Sequence, residues 1–257
     1  ALAIGFFQLL NLWPTHSKFT EVRLNDNTQG LYLFIEDPED YFIYQRNASF
    51  VMRRGYHNGV NKYQMNDLKQ TRPDSWYLAR FDSIYSYIVR YSGEQLYDSL
   101  SHIIDVSEYF TKISVDMFLQ NGDYTDELFL YTREEEGEEI FGFYPWDYDD
   151  LFQVYPHEIG RAWAPGRLFG TREYNSMNDI YADVGEKLLF SIEDDLDYKI
   201  ATDSLLYHKY LEELERVMQV FNETAIAEVF SHARLQVEPF YDNEEIIAQS
   251  AYDDQPT

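Results

Sequence analysis

The stretch from Asn121 to Phe152, NGDYTDELFLYTREEEGEEIFGFYPWDYDDLF, limits the possible folds more than any other part of the chain. Leu128–Thr132 and Ile140–Tyr144 are apolar and aromatic and read as two strands, with Glu134–Gly137 as the tight acidic turn between them. A hairpin folded about Glu135 sets residues opposite each other when their numbers sum to roughly 270. Asp123 and Asp147 then meet at its open end. Neighbouring strands lie about 4.8 Å apart, and Glu127 and Asp149 fall beside the pair. Like charges placed opposite each other repel, so either one carboxyl keeps a proton or a cation sits between them. The cation is the reading taken forward. A single Asp at a strand end commonly just bonds nearby backbone. It is the set Asp123, Asp147 and Asp149, joined by one hairpin and braced by Tyr144-Pro145-Trp146, that points to function.

A chain of 257 residues suffices for one large domain or two lobes. Its 45% apolar and 18% aromatic content implies a substantial core rather than a disordered chain. A formal charge of −26 repels nucleic acid and anionic membrane surfaces, and favours cations or basic protein partners. With zero cysteines there are no disulfides and no thiolate metal sites. No apolar run is long enough to predict a membrane span. Ala1–Leu12 lacks the basic flank and small-residue cleavage site of a signal peptide. It reads as an apolar helix without a cap, and further chain is expected before it.

Along the chain, Thr20–Asn25 and Leu31–Glu36 alternate as a hairpin around the turn Asp26–Gly30. Asp37-Pro38 opens a short helix, and Ser49–Arg53 is a further strand. Tyr56–Asp74 reads as polar and irregular. Helices are expected over Asp82–Tyr91 and Gln95–Ile103. Another starts from the capping pair Asp105 and Glu108 and runs to Gln120, with Gly122 as its stop. After the central hairpin, Pro156–Tyr174 is loop-rich and carries Arg161, Arg167 and Arg172. Helices follow over Asp183–Ile192, Asp203–Phe221 and Thr224–Gln236, then a polar, frayed tail over 242–257. Strands early, a hairpin in the middle and helices late give an α+β outline: a sheet-bearing lobe over 1–80, and a larger helical lobe over 81–241.

The common phosphate-binding and nucleophile motifs are missing: no G-x-x-x-x-G-K-[ST], no G-x-G-x-x-G, no H-R-D or D-F-G, and no G-x-S-x-G. His157-Glu158 lacks the second His of a zincin. What remains is an oxygen-rich cluster suited to Mg²⁺ or Mn²⁺ and poorly suited to zinc.

Three segments resemble the CotH kinase family, the spore-coat CotH-like atypical kinases. VRLNDNTQGLYLFIE over Val22–Glu36 is similar to that family's GLY-x-l-x-E hairpin. Asn121-Gly122-Asp123 with Phe129-Leu130-Tyr131 resembles its N-x-D segment, and Pro145-Trp146-Asp147-Tyr148-Asp149 with Phe152 matches its PWD-x-D-x-x-F motif. The resemblance runs over about 1–241. It implies a divergent protein-kinase-like fold with ATP and Mg²⁺ between two lobes, transferring phosphate to Ser or Thr of coat or extracytoplasmic proteins. Carried over by motif, Asp123 takes the place of the catalytic-loop Asp, and Asp147 and Asp149 those of metal-binding carboxylates. Glu127 (or Asp126) stands where the family has Asn, as a further metal ligand. Arg53-Arg54 stand where the family commonly has Lys, and Arg53 and Glu36 are the expected nucleotide-side residues. Two other functions fit the same residues: a non-catalytic CotH-like surface or coat module binding a basic partner or Ca²⁺, and a carboxylate-pair glycan hydrolase.

Overall fold

The computed structural model describes residues 2–12, 17–55, 58–69, 72–123, 126–135, 137–153, 187–190, 192 and 194–250. The arginine-bearing segment 156–174, His157-Glu158 and half of the helix expected over 183–192 lie outside these residues; its described positions, 187–190 and 192, are not helical. Helix and sheet are mixed, as an α+β chain requires. The chain divides into two compact units, one formed by Ala1–Asp37 with Gln219–Thr257 and the other by Pro38–Met218. The lobe boundary expected near residue 80 therefore falls inside the second unit.

In the first unit, α1 (Leu2–Leu9) precedes the antiparallel pair β1 (Ser17–Leu24) and β2 (Asn27–Ile35). The turn expected over Asp26–Gly30 is tighter than that. Asn25 and Asp26 both take positive φ, 50° and 64°, so two residues close the hairpin and Thr28–Gly30 belong to β2. Asn and Asp tolerate that conformation better than other side chains. The tail expected to fray instead carries a short helix, Glu244–Ser250, against β2. Ile246 is buried in it, and the Ser250 Oγ accepts the Leu31 N–H at 2.6 Å.

The second unit is built on a four-stranded antiparallel sheet. Its strands are β3 (Phe50–Arg54), β4 (Val60–Met65), β5 (Leu128–Glu135) and β6 (Glu138–Pro145), in the order β4-β3-β5-β6. Strand β4 falls in a region that reads as irregular, because VNKYQM is an edge strand with much of its surface in water and little apolar patterning. Helices α2 (Asp74–Arg90), α3 (Gly93–Ser101) and α4 (Val106–Leu119) pack on one sheet face. There Tyr77, Phe81, Leu100 and Phe110 share a core with Phe50, Met52, Leu130 and Phe143. On the other face, Phe42 stacks on Tyr131 with ring centroids 3.9 Å apart. Helices α5 (Asp195–Thr202) and α6 (Ser204–Val220) follow, the last two residues of α6 being counted with the first unit.

The free edge of β6 is closed by the start of α4. Phe141 N–H donates to Ile103 O and Asp105 N–H to Phe141 O, both at 2.8 Å. Asp105 caps α4 by accepting the Glu108 N–H at 2.9 Å. Only half of the expected capping box forms, because the Glu108 carboxylate turns to the sheet. It accepts the Phe143 N–H at 3.1 Å and bonds Tyr131 and Arg133. An edge N–H left unpaired in the interior would cost more than a cap contributes. The helix stops at Gln120, whose φ of 50° makes it the left-handed cap, and not at Gly122.

Gly30 has φ +100°, and a Cβ there would lie 2.8 Å from the Gln249 backbone. Gly30→Ala is expected to lower stability by roughly 2 kcal/mol or more. A thermal melt measures the loss, and limited proteolysis should show faster cleavage after residue 240.

Candidate functional site: a carboxylate cluster at the hairpin mouth

The register of β5 on β6 decides which acids meet. Leu128 faces Pro145 and Glu135 faces Glu138, three residues beyond the register set by a fold about Glu135. The pairing continues through Trp146 N–H to Glu127 O at 2.9 Å. One further step sets Asp126, rather than Asp123, opposite Asp147. Asp123 arrives from α4 by another route, through Gly122, whose N–H donates to Asp150 O at 2.7 Å. A Cβ on Gly122 would sit 2.2 Å from Asp150 Oδ2, so any larger residue here would push the Asp150 carboxylate aside.

Arg53, at the end of β3, lies across the acids. Its Nε donates to Asp126 O at 2.7 Å, and its Nη2 to Glu127 Oε1 at 2.8 Å, with Asp126 Oδ2 3.5 Å away. The second Glu127 oxygen, Oε2, is buried without a hydrogen bond among the described residues. Burial pushes the Glu127 carboxyl up to about 7; Arg53 opposes this, and Asp126, Asp147 and Asp123 add to it. Asp147 is also raised, first by burial and then by Asp149, with Asp123 contributing and Arg53 opposing. Asp126, Asp147 and Asp123 therefore lie close enough to act on Glu127, and Asp149 and Asp123 close enough to act on Asp147. Asp147 also holds φ at +51°, uncommon for a residue other than glycine.

Among the described residues no three carboxylate or histidine side chains are gathered closely enough to hold a metal ion as they stand. The donor set is nonetheless one that fits a hard cation: all oxygen, partly buried, with one carboxylate oxygen lacking a hydrogen bond. Arg53 supplies the positive charge here. Glu36, the remaining expected site residue, follows β2 in the first unit.

Of the charged groups beneath this cluster, sequence reasoning singled out Arg54 alone and missed its partners. Arg54 alternates with Arg53 and points the other way, 2% exposed, donating to Tyr109 Oη at 3.0 Å with Asp194 Oδ2 3.9 Å away. Tyr109 donates in turn to Asp197 Oδ1 at 2.6 Å. Asp194 and Asp197 also form a complete capping box at the start of α5. On α4, Lys112 pairs with Asp116 at 2.7 Å, both almost wholly buried. Burial pulls the Lys112 pKa down and pushes that of Asp197 up, while Arg54 stays charged because Tyr109, Asp194 and Asp197 surround it. One signal was present in the sequence: Lys and Asp spaced i, i+4 within YFTKISVDMFL, a helix too apolar to turn either residue to water.

Two measurements check these electrostatics. Glu127 ionises near pH 4.5 when unfolded and near 7 when folded, so the folded chain binds the extra proton and loses stability as pH rises across that window. In chelator, Glu127→Gln is expected to gain stability relative to the parent chain between pH 5 and pH 8, as read by denaturant titration. Arg54→Met leaves Asp194 and Asp197 without their cation, and is expected to cost about 3–5 kcal/mol in the same assay at pH 7.

Two comparisons with known proteins bear on this arrangement. The model of the family described as CotH kinase protein matches residues 1–252. The inner spore coat protein H of Bacillus subtilis (strain 168) is 26% identical over 165 residues, 58% of this chain and 44% of that protein. The match thus spans less than half the length of that relative.

Proposed function

The chain belongs to the CotH kinase family, and from that membership we propose that it is an ATP-dependent phosphotransferase of divergent kinase-like fold. Its acceptors are Ser or Thr of coat or extracytoplasmic proteins, with Mg²⁺ or Mn²⁺ required. The observation that supports this most is the convergence of Asp123, Glu127 and Asp147 on one hairpin mouth, with two of their carboxyls pushed up by burial and by one another. Acids held at such cost to the fold fit a polyvalent cation better than a purely structural role.

In this reading Asp147, Asp149 and Glu127 would hold the divalent ion. When bound, the ion neutralises charge on the transferring phosphoryl group. Asp123 accepts the proton of the acceptor hydroxyl as the oxygen attacks phosphorus, and the leaving nucleotide departs as ADP. Arg53, here held by Glu127 and Asp126, would offer its planar fork of donors to a phosphate oxygen. The charge of −26 draws basic acceptor segments and repels nucleic acid. No described helix is long and apolar enough to cross a membrane.

One finding favours a second reading. Arg53 already bridges the acids, and no three ligands stand ready for an ion among the described residues. A non-catalytic coat module that binds a basic partner through this acidic mouth would look the same.

Calorimetry with a non-hydrolysable ATP analogue at millimolar Mg²⁺ separates the two. The kinase reading expects Mg²⁺-dependent binding that Asp147→Ala weakens at least about tenfold with the melting temperature retained. No nucleotide binding, together with a melting temperature raised by Ca²⁺ alone, supports the coat module instead.

A further inference from the structure

Helix α4 carries an ion pair in a setting where apolar side chains would serve stability as well or better. Lys112 and Asp116 are 0% and 2% exposed, one helical turn apart, on a helix whose neighbours are mostly core. Asp116 Oδ2 takes the lysine at 2.7 Å. Asp116 Oδ1 faces the other way, accepting the Tyr148 hydroxyl at 2.5 Å and the Asn121 amide at 3.4 Å. Tyr148 sits between Asp147 and Asp149, and Asn121 lies two residues before Asp123. One buried carboxylate therefore reaches both acid-bearing loops.

The backbone joins those loops at the same place. Asn121 N–H donates to Asp116 O at 3.1 Å, Phe152 N–H to Leu119 O at 2.8 Å, and Gln153 N–H to Gln120 O at 3.1 Å. Asp147 and Phe152, on either side, both hold positive φ, 51° and 60°. A loop in that conformation, carrying acids that repel each other, needs an anchor from outside itself. The Tyr148 hydroxyl provides one.

We propose that Asp116, with Lys112 as its counter-ion, is a positioning residue that fixes the separation of Asp123 from Asp147 and Asp149 through Asn121 and Tyr148. It rests on the cation-binding reading above. Neither Asp116 nor Lys112 touches the ion or the substrate. They act by holding the ligands at the spacing a divalent ion requires, as the outer partners of ligands do in other metal sites.

The test is Mn²⁺ affinity by calorimetry on the full chain, with melting temperature recorded alongside. Tyr148→Phe removes one hydroxyl and keeps the ring, and is expected to weaken Mn²⁺ binding about tenfold while the fold persists. Lys112→Met with Asp116→Leu removes the anchor without stranding a charge, and is expected to match that loss. Lys112→Met with Asp116→Asn keeps an oxygen for Tyr148, and is expected to restore affinity to near the parent value. A purely structural pair would move the melting temperature in all three and leave Mn²⁺ affinity unchanged, which overturns the proposal. Asp147→Ala is the control. If it abolishes Mn²⁺ binding while the other variants bind like the parent, the anchor is wrong and the cation site stands. If Mn²⁺ binding survives Asp147→Ala, the cation site itself falls, and the anchor with it.

Discussion

The register between β5 and β6 is the constraint from which most of the second unit follows. Side chains alternate across a strand, so slipping the pairing by one residue would turn Leu128, Leu130, Phe141 and Phe143 out of the core. Those four hold α2, α3 and α4 against the sheet. The same pairing delivers Glu127 and Asp147 to one end of the hairpin, while β3, on the far side of β5, brings Arg53 to that end. The beginning of α4 seals the β6 edge and its end leads into Asp123. Sheet, helix and acids are thus set by one ladder of hydrogen bonds.

That placement concentrates negative charge, and the molecule balances it in two layers. At the mouth, Arg53 is the one described cation bonded to the acids, and it leaves one Glu127 oxygen without a hydrogen bond. Beneath, Arg54 and Lys112 compensate Asp194, Asp197 and Asp116 in the interior. The two layers differ in kind. The buried one is closed by tyrosine hydroxyls and a helix cap, so every change there is expensive. The outer one has a donor that can exchange partners, which suits it to meeting a ligand.

Much of this could be read from the sequence. The hairpin showed itself in its apolar runs, the start of α4 in Asp105 and Glu108, and the acids in the PWDYD motif. The exact register was out of reach, because an acidic turn with one glycine closes at several neighbouring positions with little difference in local energy. The expectation fell three residues short. Strand β4 was hidden because an edge strand needs little apolar surface. The helix over Glu244–Ser250 was hidden because only Ile246 goes deep. The anchoring role of Asp116 was illegible for another reason: its partners Asn121 and Tyr148 come from different loops, and nothing in local spacing reveals that they converge.

The first unit is made from the two extremities of the chain, Ala1–Asp37 and Gln219–Thr257, with the whole second unit inserted between them. On a ribosome the β1–β2 ribbon therefore emerges long before the helices that cover it, and a two-stranded ribbon alone is marginal in water. It has to stay uncommitted while the central sheet and its helices, linked by much shorter loops, complete themselves. Closure of the first unit waits until synthesis has passed Ser250. A chain interrupted there would keep an ordered centre and display an unfinished, sticky ribbon to whatever machinery inspects new proteins.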